Sequence, residues 1–119
     1  MASTRVGACS VILVDDITTW PDTDLRHKQW SHMVSTESRA ELLEMAERLG
    51  LKRMWLQTSS FVHFDITPPK RVQALRFGAA AVSARILLFA NFDYAIKRPG
   101  KLIPEPYRSE IEVLKKTRR

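Results

Sequence analysis

The chain has one cysteine, Cys9, in 119 residues. No internal disulfide framework and no cysteine-based zinc site can form from it. Long apolar runs are also missing. The longest, Val11–Val14 and Ile86–Ala90, fall far short of the roughly 20 residues of a membrane span. Met1–Val14 carries one basic residue, and its short apolar stretch is broken by Asp15 and Asp16, a pattern unlike a secretory leader. Four isolated glycines leave no phosphate loop of the P-loop or dinucleotide type, and no Gly-x-Ser-x-Gly nucleophile elbow is present. His63-Phe64-Asp65 begins like a His-x-Asp…His iron triad, but no histidine follows residue 63. These absences predict a small cytoplasmic protein with no membrane span.

What is present is ordinary for a folded domain: 45% apolar and 27% charged residues. The length suits one domain. The net charge of +6 is unevenly placed, because residues 97–119 hold eight Lys/Arg against three Asp/Glu. The reading is a compact domain over 1–96 and a basic C-terminal extension over 97–119, broken off at Arg98-Pro99-Gly100 and helical over 105–117. Such an extension favours nucleic acid or another acidic surface through counterion release, or is simply solvated.

Periodicity places the elements. Ser10–Asp15 contains an unbroken Val-Ile-Leu-Val run, which suits a strand covered on both faces. Gln29–Val34 alternates, with Trp30, His32 and Val34 on one face. Ser38 and Glu41 form a capping box, Leu42, Met45, Ala46 and Leu49 make an apolar stripe, and Gly50 stands where a helix ends. Strands are predicted over Arg53–Gln57 and Phe61–Ile66. Thr67 with Pro68 opens a second helix that runs to Phe77. Ala80–Val82 reads as a short strand and Ala84–Asn91 as a third helix capped by Ser83. Asp22–His27 reads as a surface loop. The alternation predicts a small single-domain α/β fold: a mostly parallel sheet of about four or five strands with three or four helices.

In open α/β sheets ligands gather beyond strand ends. Asp15 and Asp16 close the first strand, His32 lies on the second, and His63 and Asp65 share a face near the end of another. Two imidazoles and up to three carboxylates suit a hard or borderline metal ion. His63 oriented by a carboxylate suits a general base equally. Lys70 and Arg71 lie in the first turn of the second helix, where the macrodipole disfavours cations, and a bound phosphate would relieve that conflict. Pro68 and Pro69 remove two backbone donors from that turn, so the side chains and Thr67 would carry the contact. Trp20, Trp30 and Trp55 read as core or rim packing, with base stacking as the other use of an indole.

Val14-Asp15-Asp16, Trp30-Ser31-His32-Met33 and the Glu41-Leu42…Leu49-Gly50-Leu51 helix, together with His63-Phe64-Asp65-Ile66-Thr67-Pro68, Lys70-Arg71, Ala74-Leu75, Gly78-Ala79 and Val82-Ser83…Arg85, resemble a bacterial and phage family, domain of unknown function 4031. The resemblance covers roughly residues 11–88 and implies a stand-alone α/β domain with no assigned activity. Its polar signature falls on Asp15, Asp16, His32, His63, Asp65, Lys70 and Arg71.

Three readings of function follow, the third being a nucleic-acid accessory protein that binds through the 97–119 tail. In the first, the protein binds a phosphate-bearing ligand, a nucleotide or nucleic acid, and hydrolyses a phosphodiester with metal or histidine assistance. His32, His63 and Asp65 are then catalytic, Lys70, Arg71 and Thr67 hold phosphate, and Asp15 and Asp16 hold a divalent metal ion. In the second, it is a non-catalytic phage accessory protein that sequesters a nucleotide signal or inhibits a host protein.

Overall fold

A computed structural model describes residues 11–20 and 27–117. Cys9, Ser10 and the predicted loop up to residue 26 lie outside the described residues. The described residues form five strands: β1 (Ile12–Val14), β2 (Thr18–Thr19), β3 (Gln29–Ser35), β4 (Phe64–Ile66) and β5 (Ala80–Ala81). Five helices accompany them: α1 (Arg39–Leu49), α2 (Pro68–Arg76), α3 (Ala84–Ala90), α4 (Tyr94–Lys97) and α5 (Tyr107–Thr117). The α/β class is as read, but the helices exceed the three or four expected, because the single turn of α4 is too short to show a periodic stripe.

The sheet is mixed rather than mostly parallel. β3 is its spine, pairing antiparallel with β1, β2 and β4, and only β1 and β5 pair in parallel. The alternation of strands and helices misled because β1, β2 and β3 follow one another in the chain and pair antiparallel, with no helix among the described residues between them. One crossover does exist, β4–α2–β5. Its strands run the same way on opposite flanks of the sheet, so they never meet.

Both sheet faces are covered, which explains the unbroken apolar run of β1. Ile12 and Val14 face Leu42, Met45, Ala46 and Leu49 of α1 and Ala74 of α2. Val11 and Leu13 face Ile86, Leu87 and Ala90 of α3 and Ile111 of α5. The stripe of α1 is therefore its buried face, as its spacing requires.

The start of α1 departs slightly from the capping box. The Ser38 hydroxyl accepts from the Glu41 N–H at 3.1 Å, but the Glu41 carboxylate accepts from the Ser35 hydroxyl. The Ser35 oxygen in turn accepts from the N–H groups of Glu37 and Ser38. Gly50 ends the helix with φ +79°, the left-handed conformation that favours glycine.

The strand predicted over Arg53–Gln57 is instead a 3₁₀ turn at Arg53–Trp55. Gln57 alone pairs, in a two-way backbone bridge with His63. A stretch with one paired residue gains no ladder, and local turn hydrogen bonds take over. The strand predicted over Phe61–Ile66 shortens to Phe64–Ile66, with His63 before it held by the isolated Gln57 bridge.

Candidate metal centre

The register of β3 on β4 sets His32 opposite Asp65. His63 stands one step before β4, fixed by its bridge to Gln57. These three side chains meet. The Asp65 Oδ1 lies 3.4 Å from His63 Nε2 and 3.9 Å from His32 Nε2. One potential ligand atom from each residue falls within 4.8 Å of the others. A tetrahedral ion with bonds of about 2.0–2.1 Å keeps its ligand atoms roughly 3.4 Å apart. The two separations from Asp65 lie at and somewhat above that spacing.

The far side of each imidazole is tied down. His32 Nδ1 donates to Asp15 Oδ2 at 2.7 Å, and His63 Nδ1 donates to the Phe61 carbonyl at 2.9 Å. A carbonyl only accepts, so the His63 proton must sit on Nδ1 whenever the ring is neutral. Both rings turn Nε2 toward Asp65, as a lone pair when the ring is neutral and as an N–H donor when it is charged. Metal-binding histidines are held in this way by a carboxylate or carbonyl behind them. Phe61 stacks on the His63 ring, with centroids 4.2 Å apart at 21°, and sets its plane. Gln57 Nε2 donates to Asp65 Oδ2 at 2.5 Å, leaving Oδ1 for the imidazoles.

Asp15 owes its place to a break in the ladder. Val14 faces Met33 but Thr18 faces Trp30, so the first strand segment carries one extra residue between those pairs, a β-bulge. At the bulge the Asp15 side chain stands in for a backbone acceptor. Its Oδ1 accepts the His32 N–H at 2.7 Å, and the Ser31 hydroxyl lies 3.1 Å from Oδ1 and 2.8 Å from the Asp15 carbonyl. Arg71 Nε donates to that same carbonyl at 2.8 Å.

Charge follows geometry. Burial pushes the Asp15 carboxyl up, but hydrogen bonds from the His32 ring, the His32 backbone and Ser31 outweigh it and leave it below its ordinary value. The Asp15 hydrogen bond raises His32 against the opposing effect of burial, and the charges of Asp15 and Asp65 add to the rise. Asp65 is likewise pushed up by burial and pulled down further by His63, Gln57 and His32.

The residues singled out from the sequence thus divide. His32, His63 and Asp65 form the cluster, and Asp15 stands behind His32 with both oxygens engaged. Asp16 is exposed and is not among the clustered groups. Lys70 Nζ donates to the Leu49 carbonyl at 2.6 Å, so the cation at the wrong end of α2 serves the right end of α1. Arg71 braces the bulge. Thr67 is the N-cap of α2 but its side chain makes no capping bond, since Pro68 and Pro69 occupy the first two positions. Thr67 borders a cleft of about 500 Å³ that also takes in Lys70, Gln57 and Asp65.

Ser31, Gln57 and Phe61 were not found from sequence. Ser31 faces away from His32 in an ideal strand, and only the bulge brings its hydroxyl to Asp15. Gln57 had a signal in the polar Thr58-Ser59-Ser60 turn beside His63, a hairpin pattern hidden by the expected strand.

No helix of the described residues is long and apolar enough to cross a membrane. Neither the curated proteins nor the solved structures include a significant match to the chain. The family described as a protein of unknown function, DUF4031, matches residues 12–91, which span every residue of the cluster and its supports, and the chain belongs to that family.

Proposed function

We propose that the protein holds a divalent metal ion on His32, His63 and Asp65 and uses it to hydrolyse a phosphate ester. The observation that carries this reading is the pair of Nε2 atoms turned onto one carboxylate oxygen, each ring anchored behind by its own acceptor. Two imidazoles and one carboxylate suit zinc or a neighbouring borderline ion better than magnesium or calcium, which prefer oxygen.

Three protein ligands leave a coordination position open, the mark of a catalytic rather than a structural site. The His32 and Asp65 side chains keep 31% and 28% of their surface, so the cluster is open to water. A bound ion there supplies Lewis-acid polarisation and lowers the pKa of coordinated water. His32, His63 and Asp65 would hold the ion, and the chemistry it would supply is activation of water for hydrolysis of a phosphate ester. Lys70 has three donors and spends one on Leu49, which leaves the others for a phosphate oxygen in the adjoining cleft.

The test has two parts. Metal content after dialysis against zinc, manganese or iron(II) is expected to be near one ion per chain, and to fall with Asp65→Asn and His63→Gln. Turnover is then measured on a panel of phosphomonoesters and phosphodiesters. Equal behaviour of wild type and His63→Gln on every substrate would remove the catalytic reading. Ligand stabilisation without turnover favours the non-catalytic binder instead.

A further inference from the structure

The cleft beside the cluster is walled by three indoles, Trp20, Trp30 and Trp55, and shares Asp65 and Gln57 with the cluster. It sits at the end of the sheet where β3 begins and β4 finishes. Its volume of about 500 Å³ falls in the range of small-molecule sites. The polar residues that line it are few: Lys70 and Thr67 on the α2 side, Gln57 and Asp65 near the cluster, and His27.

Two of the indoles are half open to solvent, Trp20 at 46% and Trp55 at 51%. Trp30 is braced, its indole N–H donating to the His27 carbonyl at 2.9 Å and its ring meeting the His27 ring edge-on. Lys52 Nζ lies 5.6 Å over the Trp55 ring. Wide aromatic faces around a cavity, with one fixed in place, suit a flat heterocycle, since every base has a π-face and stacking needs little else. Lys70 has ammonium donors beyond the one given to Leu49, and a purely aliphatic occupant would make no use of them. A cation at one side and a carboxylate-imidazole cluster at another fit a ligand that is planar at one end and anionic at the other.

We infer that the Trp20–Trp30–Trp55 cleft is the base-binding subsite of a nucleotide whose phosphate reaches the His32–His63–Asp65 cluster. The phosphate end of this assignment rests on the function proposed above; the stacking end does not. The shared chemistry is a nucleobase joined to a phosphate, whether as a free mononucleotide or as the end of a single strand.

Binding is read on the full chain by calorimetry and by quenching of tryptophan fluorescence, with nucleosides, nucleoside monophosphates, single-stranded tetranucleotides and inorganic phosphate as probes. Nucleoside monophosphates are expected to quench and bind, nucleosides to quench more weakly. Trp55→Ala, at a half-exposed position on a turn, is expected to weaken nucleotide binding about tenfold or more while metal content stays unchanged. Tighter binding of tetranucleotides assigns the base to a nucleic-acid end, and equal binding assigns it to a free nucleotide. The inference is overturned if inorganic phosphate binds as well as every nucleotide, if no base-bearing probe quenches, or if Trp55→Ala leaves nucleotide affinity intact. Loss of metal binding alone, with quenching by nucleosides preserved, sinks the metal-centre reading and leaves the base subsite standing.

Discussion

Asp15 illustrates how much one side chain can decide. It closes the ladder at the bulge, orients His32, and is itself held by Ser31 and by the His32 N–H. Asp15→Asn keeps the shape but removes the charge that holds the His32 ring. Changes to a partner behind a metal-binding histidine typically cost 10- to 100-fold in metal affinity. A loss of that size is expected here, measured by competition with a chromophoric chelator, with the helical signal in circular dichroism unchanged. The pair also sets a pH dependence. His32 is raised above 6.5, so its contribution to the stability of the metal-free protein is complete below 6.5 and lost as pH rises through the raised value. Asp15 and Asp65 are lowered from 3.8, so theirs is complete above 3.8 and lost as pH falls through the lowered values. Metal binding instead needs His32 Nε2 without its proton. The gap in melting temperature between metal-loaded and metal-free protein should therefore widen as pH rises above 6.5. A gap that narrows there would contradict the assignment of His32 as a ligand.

Among elements, α1 was the most legible in the sequence, because cap, stripe and terminating glycine all agree on it. Gly50 tests that agreement. A Cβ there would come no closer than 3.7 Å, to Lys70 Nζ, so space is not the obstacle. The backbone is, since φ +79° disfavours any residue with a side chain. Gly50→Ala is expected to cost about 1 kcal/mol in urea unfolding, and Lys70→Met about 0.5–1 kcal/mol through the lost charge at the end of α1. The strands were harder to read. β2 and β5 have two residues each, too few for any alternation to register, and the direction of pairing is not written in alternation at all. The site was legible as a set of residue types, since His32, His63 and Asp65 stood out on strand faces. Its division into ligands and supports was not, because the bulge that turns Asp15 behind His32 is a property of two strands together. Lys70 and Arg71 looked misplaced only while α2 was considered alone; Leu49 and the Asp15 carbonyl, far away in sequence, answer both.

At the scale of the whole molecule, the two sheet faces divide the labour. One is sealed by α1 and α2. The other is sealed by α3 and α5 over Val11, Leu13, Val34 and Ala80, and farther along that face of β3 lies His32, which joins the cluster and keeps part of its side chain exposed. The basic C-terminal segment therefore has a packing role whatever else it binds. Its helix α5 buries Ile111 to 5% exposure against the α3 cluster, with Tyr107 and Leu114 beside it, while Lys115 and Lys116 lie in its last turn. These two roles separate by mutation. Ile111→Ala removes buried methyl groups, and large-to-small changes at such positions cost about 2–5 kcal/mol. The low end is expected, since α5 lies at the rim of the core, with a lower midpoint in thermal melts and little change in metal content. Replacing Lys115 and Lys116 by Gln should leave the melt almost unchanged and alter only the salt dependence of any nucleic-acid binding, whose slope follows the number of phosphates neutralised. If Ile111→Ala melts like wild type, α5 is not a working part of the fold, and the sheet face beneath it must be sealed in some other way.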